Sequence, residues 1–292
     1  MSIELEIIRG IQSFRFGFLD TVMMILTQLG DQFAFIAVGL VIYWFFDKKL
    51  AFKLVFVFII SALANEAFKV LIKRPRPFIE DASLLVGEAT HGYSMPSGHA
   101  QNTAVISTTL YQAYGKKSRW LKWVLWIALI IVPFTRLYLG QHYVSDVIFG
   151  VLLGIVFAFM IGKLVDLMKD KEHLYGLFVM IPLAIITLIM GLFDPVYDEV
   201  KNMFVAVGGM TGFLVGYAID KVFIQYHLKP QGIKILYRAL IGLLGVVILY
   251  LGLSVLFDFI AQDNIYLDFI RYAMIGLFGA AGSMYVFKLL KV

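Results

Sequence analysis

The chain has 292 residues, 61% of them hydrophobic and 15% charged, with a formal net charge of +5. Soluble domains carry about 45–50% apolar and about 25% charged residues, so this composition excludes an ordinary water-soluble fold and points to the bilayer. The absence of cysteine excludes disulfides, thiolate metal sites and cysteine nucleophiles, and the modest positive charge suits membrane-anchoring lysines better than nucleic-acid binding.

The N-terminus, Met1-Ser2-Ile3-Glu4-Leu5-Glu6, lacks the basic start and apolar run of a secretory signal. Over residues 1–30, Ile3, Leu5, Ile7, Ile8 and Ile11 are interspersed with Glu4, Glu6, Arg9 and Gln12, and a second short apolar stretch follows around Phe18, Val22, Met23, Ile25 and Leu26. This pattern predicts two short helices lying at the membrane interface, with a true span in the second stretch as the alternative. Phe14, Phe16 and Phe18 suit interfacial anchoring, or the lining of a lipid entrance.

Apolar runs long enough to span follow at 32–46, 50–72, 98–115, 120–137, 143–168, 174–193, 202–219, 235–257 and 267–288. The predicted fold is therefore all-α: a polytopic transmembrane helix bundle of about nine spans plus the N-terminal interfacial helices. Three regions are expected: interfacial helices at 1–30, a core at 31–170 and a C-terminal four-helix extension at 171–292. Small residues at helical spacing mark close-packing faces at Gly150 and Gly154, at Gly208, Gly212 and Gly216, and at Gly276 with Gly279.

Loop charge orients the bundle. Lysine-rich connections carry Lys48, Lys49 and Lys53; Lys116, Lys117, Arg119 and Lys122; Lys163, Lys169 and Lys171; Lys221, Lys229, Lys234 and Arg238; and Lys288 and Lys291. With nine spans these fall on one side, and acidic loops bearing Asp194, Asp198, Glu199, Asp258, Asp263 and Asp268 fall on the other. The positive-inside rule assigns the lysine side to the cytoplasm. The connections at 73–97 and 138–142 then face outward, and Lys73, Arg74 and Arg76 sit there against the rule.

Three clusters on that outer side carry ionisable groups, which are costly at membrane level and functional by default. The first is Lys69-Val-Leu-Ile-Lys73-Arg74-Pro75-Arg76-Pro77, where the prolines end a helix and hold Arg76 in a fixed loop. Taken alone it reads as a basic helix end that snorkels to headgroups. The second is Ser94-Met95-Pro96-Ser97-Gly98-His99-Ala100-Gln101, an N-cap serine and a glycine at a helix start, where free N–H groups bind anions. An ordinary cap with an interfacial histidine is its plain structural reading. The third is Thr135-Arg136-x5-His142-x3-Asp146: His142 and Asp146, four apart, share a helix face, so the carboxylate can fix the ring tautomer and leave the other nitrogen free to attack. Alone, it reads as a buried ion pair. Together the clusters supply cations, N–H donors, a nucleophile and an acid, the set a phosphoryl group requires.

These strings resemble the three signature motifs of the type 2 phosphatidic acid phosphatase superfamily, K-x6-R-P, P-S-G-H and S-R-x5-H-x3-D, in order and at the right spacing over residues 69–146. Thr135 stands where that family usually has serine and keeps the hydroxyl. The motifs do not extend past the core, and four further spans look like the nine-span layout of the glucose-6-phosphatase type. The resemblance implies that His142 attacks phosphorus to form a phosphohistidine, that Asp146 holds its imidazole and that His99 protonates the leaving oxygen and then activates water. It further implies that Lys69, Arg76, Ser97, the Gly98 N–H and Arg136 bind the phosphate oxygens, with no metal or other cofactor.

The expected activity is hydrolysis of a lipid phosphate or diphosphate, of the undecaprenyl diphosphate, phosphatidylglycerophosphate or phosphatidate type, at the outer face of the cell membrane. A transporter or flippase that binds a phosphorylated lipid without cleaving it is the alternative. Expected partners are the phosphorylated lipid and membrane lipids, with no nucleic acid, and a homo-oligomer is compatible with the sequence. Glu88, His91 and Tyr93 precede the second cluster, where they are solvated loop residues or shape substrate choice.

Overall fold

The computed structural model describes residues 3–193, 195–227 and 230–292, leaving out the side chains of Asp198 and Glu199. Asp194, Lys229 and those two side chains, counted above for orientation, lie outside the described residues. The described chain is helical without strands and divides into two compact units, Met1–Val38 with Lys53–Asp166, and Gly39–Phe52 with Leu167–Val292.

The first unit begins with two short helices, α1 (Ile3–Gln12) and α2 (Gly17–Thr27). Leu5 and Ile8 of α1 pack with Leu84 and Tyr143, and Gln12 Nε2 donates to the carbonyls of Leu84 and Tyr138 at 2.7 Å each. The other face leaves Ile3 exposed, as an amphipathic surface helix requires. Phe14, Phe16 and Phe18 are exposed too, in keeping with anchoring. On α2, Leu19 and Met23 pack on Tyr138, Leu139 and Val86, and Asp20 accepts from the Tyr138 hydroxyl at 2.6 Å. At 11 residues α2 is only about 16 Å long, short of a hydrocarbon core of about 30 Å. It passes as a span only together with α3 (Gln32–Phe45), from which it is bent by 53°.

Then come α4 (Lys48–Ile72), the single turn α5 (Pro77–Glu80), α6 (Gly98–Leu110), α7 (Arg119–Tyr138) and α8 (Val144–Leu167). Each of the nine expected apolar runs is helical, but among the described residues seven helices are long and apolar enough to cross, or up to eight with the bent pair as one. The count of nine is approximate because α3 has 14 residues and because α6, with 13, carries Gln101, Asn102, Thr103, Ser107, Thr108 and Thr109. Among these, Gln101, Thr103, Ser107 and Thr109 are buried, so α6 lies inside the protein rather than against lipid.

Two glycines decide how α8 meets α6. A Cβ on Gly150 would lie 2.5 Å from the Ser97 carbonyl, and one on Gly154 would strike the Gln101 carbonyl and come within 2.7 Å of the Ala104 Cβ. The small-residue face therefore lets the α8 backbone lie against the start of α6. Replacing Gly154 with leucine is expected to destabilise the protein by about 1–3 kcal/mol through overpacking. The check is a lowered unfolding midpoint in detergent, with activity falling alongside; an unchanged midpoint would show that the helices are free to part.

The second unit contains α9 (Glu172–Met190), α10 (Tyr197–Ile219), α11 (Ile233–Ile260), α12 (Ile265–Leu277) and α13 (Ser283–Leu290). Gly208 and Gly212 lie against the backbone of Phe269 and Ala273 on α12, while Gly276 lies against Gly209, so the expected close-packing face joins α10 to α12. Two of its buried carboxylates are paired, as buried charges must be. Asp220 accepts from Tyr43 at 2.6 Å and Lys48 at 2.5 Å; Glu172 accepts from Tyr217 at 2.7 Å and Lys221 at 2.5 Å. α11 has the highest hydropathy of the seven candidate spans found among the described residues and almost none of it is covered, the pattern of a lipid-facing helix.

Candidate active site

All eight candidate site residues lie in the first unit, at or near the ends of α4, α6, α7 and α8 and, for Arg76, in the link from α4 to α5. The opposite ends of these helices carry Lys53, Lys116, Lys117, Arg119, Lys122 and Lys163, and Lys53 pairs there with Asp166 at 2.7 Å.

Helix α4 stops when Lys73 turns to a φ of 52°, after which Pro75 and Pro77 carry the chain in extended form into α5. Lys69, in the last turn, pairs with Glu66 at 2.8 Å. Arg76 is buried and its guanidinium makes four polar contacts. Nε donates to the Gly92 carbonyl at 2.9 Å, Nη2 to that of His91 at 2.8 Å, and Nη1 to that of Gln141 at 3.1 Å. Nη1 also lies 3.2 Å from His142 Nε2. The loop before the second motif thus holds Arg76 through backbone carbonyls, and Gln141 ties it further by donating to the Glu88 carbonyl at 2.9 Å.

Ser97 is the N-cap of α6, as expected, but its hydroxyl makes no capping bond and is buried without a partner. Its amide is fixed instead, donating to the Asp146 carbonyl at 3.0 Å. Asn65 of α4 donates to Gln101 Oε1 at 2.7 Å, and Gln101 donates to the Ser61 carbonyl at 2.7 Å, so the first turns of α6 are held by α4. Gly98 opens the helix and half-buried His99 follows, within range of the charges of Arg136, Lys69 and Arg76.

On α7, the Thr135 hydroxyl donates to the Val132 carbonyl at 2.6 Å, so it serves the helix backbone. Arg136 is buried; Nη1 donates to Thr27 Oγ1 at 2.9 Å, while Nε has no partner. The turn to α8 passes through Gly140, whose φ of 66° only glycine adopts readily. His142 precedes α8 and Asp146 lies in its first turn, both buried.

The ring is defined on both nitrogens. Arg76 can only donate, so Nε2 carries the lone pair and the proton sits on Nδ1. Nδ1 faces Ser94 Oγ at 3.4 Å and Asp146 Oδ2 at 3.8 Å. The carboxylate expected to hold the ring therefore stands just beyond hydrogen-bond reach, with Ser94 between, donating to Asp146 Oδ2 at 2.5 Å. Burial pushes the His142 pKa well down, and the charges of Arg76, Arg136 and Lys69 push it further. A neutral imidazole beside Arg76 and within electrostatic range of Arg136 and Lys69 suits attack on an anionic phosphorus centre.

Sequence reasoning gave no role to Ser94, Arg74, Gln141 or Glu4. Ser94 and Arg74 stood within the quoted strings, next to motif positions. Glu4 carried no signal, being an acidic residue on a surface helix.

The family described as PAP2 superfamily matches residues 50–168. The PAP2 superfamily phosphatase transmembrane extension matches residues 204–292, so the likeness runs on into the segment that carries none of the three motifs. An undecaprenyl-diphosphatase of Sulfolobus acidocaldarius is 30% identical over 161 residues, 54% of this chain and 76% of that protein. Sphingosine-1-phosphate phosphatase 1 of Rattus norvegicus is 30% identical over 182 residues, 59% of this chain but only 41% of that longer protein. The crystal structure of Aquifex aeolicus LpxE superimposes with a TM-score of 0.50 at 26% identity, covering 56% of this chain and 96% of that one.

Proposed function

The chain belongs to the PAP2 superfamily, and from that membership we propose that it hydrolyses a long-chain lipid phosphate or diphosphate at the outer membrane face through a phosphohistidine. It is a multi-pass membrane phosphatase. The proposal rests on one observation: a buried, neutral His142 has its Nε2 beside Arg76, and Ser97 Oγ and Arg136 Nε are buried without partners in the same unit. Donors left unpartnered at such a price in desolvation suit an oxyanion.

In the first step Nε2 of His142 attacks phosphorus, the bond to the lipid-side oxygen breaks and His99 gives that oxygen a proton. In the second, His99 takes a proton from water as its oxygen attacks phosphorus, the P–N bond breaks and phosphate leaves. Lys69, Arg76, Ser97, the Gly98 N–H and Arg136 hold the equatorial oxygens, where charge and positioning dominate. Exchanging Glu66 for a phosphate oxygen is the step asked of Lys69.

Undecaprenyl diphosphate and sphingosine 1-phosphate, named by two relatives, share a phosphate on a long apolar tail. Phosphatidylglycerophosphate and phosphatidate fit the same description. Lysines at the far ends of the helices of the first unit support the outward orientation of the site. The test is phosphate release by the purified protein across these lipids, with glucose 6-phosphate as soluble control. The expected result is release from at least one lipid, and chelation of divalent ions should leave the rate unchanged. Transbilayer movement of a bound lipid without release would favour the transport reading, and dependence on added metal would overturn the histidine-only mechanism.

A further inference from the structure

Asp146 is held by more than its own helix. Its Oδ2 accepts from Ser94 Oγ at 2.5 Å and the Tyr143 amide at 2.9 Å; its Oδ1 accepts from Arg74 Nη1 at 2.8 Å. Arg74 in turn is held by α1: Nη2 donates to Glu4 Oε2 at 2.5 Å, and Glu4 Oε1 accepts from the Ser145 amide at 2.8 Å. The guanidinium carbon also lies over the Tyr143 ring, 3.8 Å from its centroid. These contacts join the surface helix, the first motif, the second motif and the start of α8.

We propose that Asp146 acts on His142 through Ser94, and that Arg74 and Glu4 are positioning residues that fix this relay. A serine hydroxyl has one proton. Ser94 donates its hydrogen bond to Asp146, which turns an oxygen lone pair toward His142 Nδ1. The Nδ1 proton then points to Ser94, and Nε2 is left to attack. When Nε2 bonds to phosphorus, positive charge spreads onto the ring and is met by the Ser94 dipole with the carboxylate behind it. No proton need leave Nδ1. Arg74 fixes the carboxylate from the far side with a fork that reaches Glu4 and Asp146 together, a geometry a lysine cannot reproduce. By capping the α8 amide of Ser145, Glu4 also sets the start of the helix that carries Asp146.

The relay presupposes His142 as nucleophile, so the experiment reads the two separately. Phosphoenzyme is trapped by alkaline quench, since a phosphoramidate survives alkali and hydrolyses in acid. Its presence in the wild type and absence from His142→Ala test the nucleophile. Ser94→Ala should then form phosphoenzyme roughly 10- to 100-fold more slowly with KM little changed, since misplacement of about 1 Å costs about that much. Combining Ser94→Ala with Asp146→Asn should slow the reaction no more than Asp146→Asn alone, because both act through one hydrogen-bond path. Glu4→Gln, at a partly exposed position, should lower kcat several-fold with an unchanged unfolding midpoint. If Ser94→Ala folds and forms phosphoenzyme at the wild-type rate, or if the two losses multiply, the relay is wrong while the nucleophile stands. If Ser94→Ala does not fold, Glu4→Gln and Arg74→Lys decide: wild-type kcat in both overturns the proposal, and a loss of kcat at constant KM supports it.

Discussion

Replacing His142 with alanine is expected to abolish phosphate release, with a loss of roughly 10⁴-fold or more in turnover, because the proposed phosphohistidine can no longer form. The fold should survive the change, since Arg74, Ser94 and the Tyr143 amide still satisfy Asp146 and no buried charge is stranded. The measurement is phosphate release by the detergent-solubilised variant beside its unfolding midpoint, and wild-type turnover would sink the assignment. The wild-type acid limb follows from the same ring. Burial first, then Arg76, Arg136 and Lys69, depress its pKa below 6.5, so the attacking neutral form persists as pH falls through that value. For a histidine with depressed folded-state pKa, protons bind the unfolded chain more readily, so stability declines on acidification below the unfolded value of about 6.5.

Arg76→Lys is the second large effect, expected to lower kcat/KM by roughly 10²- to 10³-fold although the charge is kept. An ammonium cannot reproduce three carbonyl contacts, to His91, Gly92 and Gln141, while also facing His142 Nε2. The loop over residues 88–93 should loosen as well, visible as faster amide exchange at Gly92 and Tyr93. Arg76→Ala, lacking charge as well as fork, should be slower still. A lysine variant with wild-type kcat/KM would mean that charge alone suffices and that the carbonyl clamp is structural only.

Much of this was legible in the sequence because it is written in local strings. Hydropathy located the helices, since bilayer crossing demands long apolar runs whatever the tertiary contacts. The small-residue spacing at Gly150 and Gly154 announced a close contact, though not that its partner would be α6. The count of spans was less readable. α6 is buried by protein, so its polar residues pair inward and blur the line between a lipid-crossing helix and a core helix. The short α2 and α3 blur it again, passing only as a bent pair.

By itself the sequence determined the class, a helical membrane protein, because composition carries it, and its three motifs determined the phosphatase family, because their spacing is written in local strings. Only the tertiary structure decided how the groups meet. It singled out Arg76 as the arginine facing Nε2, put Ser94 between Asp146 and His142, and brought Glu4 to the Ser145 amide across 141 positions of chain. The physical reason is that hydrogen bonds depend on ångström distances and on direction. Those are set by how backbones pack, at Gly150 and Gly154 above all, and pairs so far apart in the chain leave no periodic trace in the sequence.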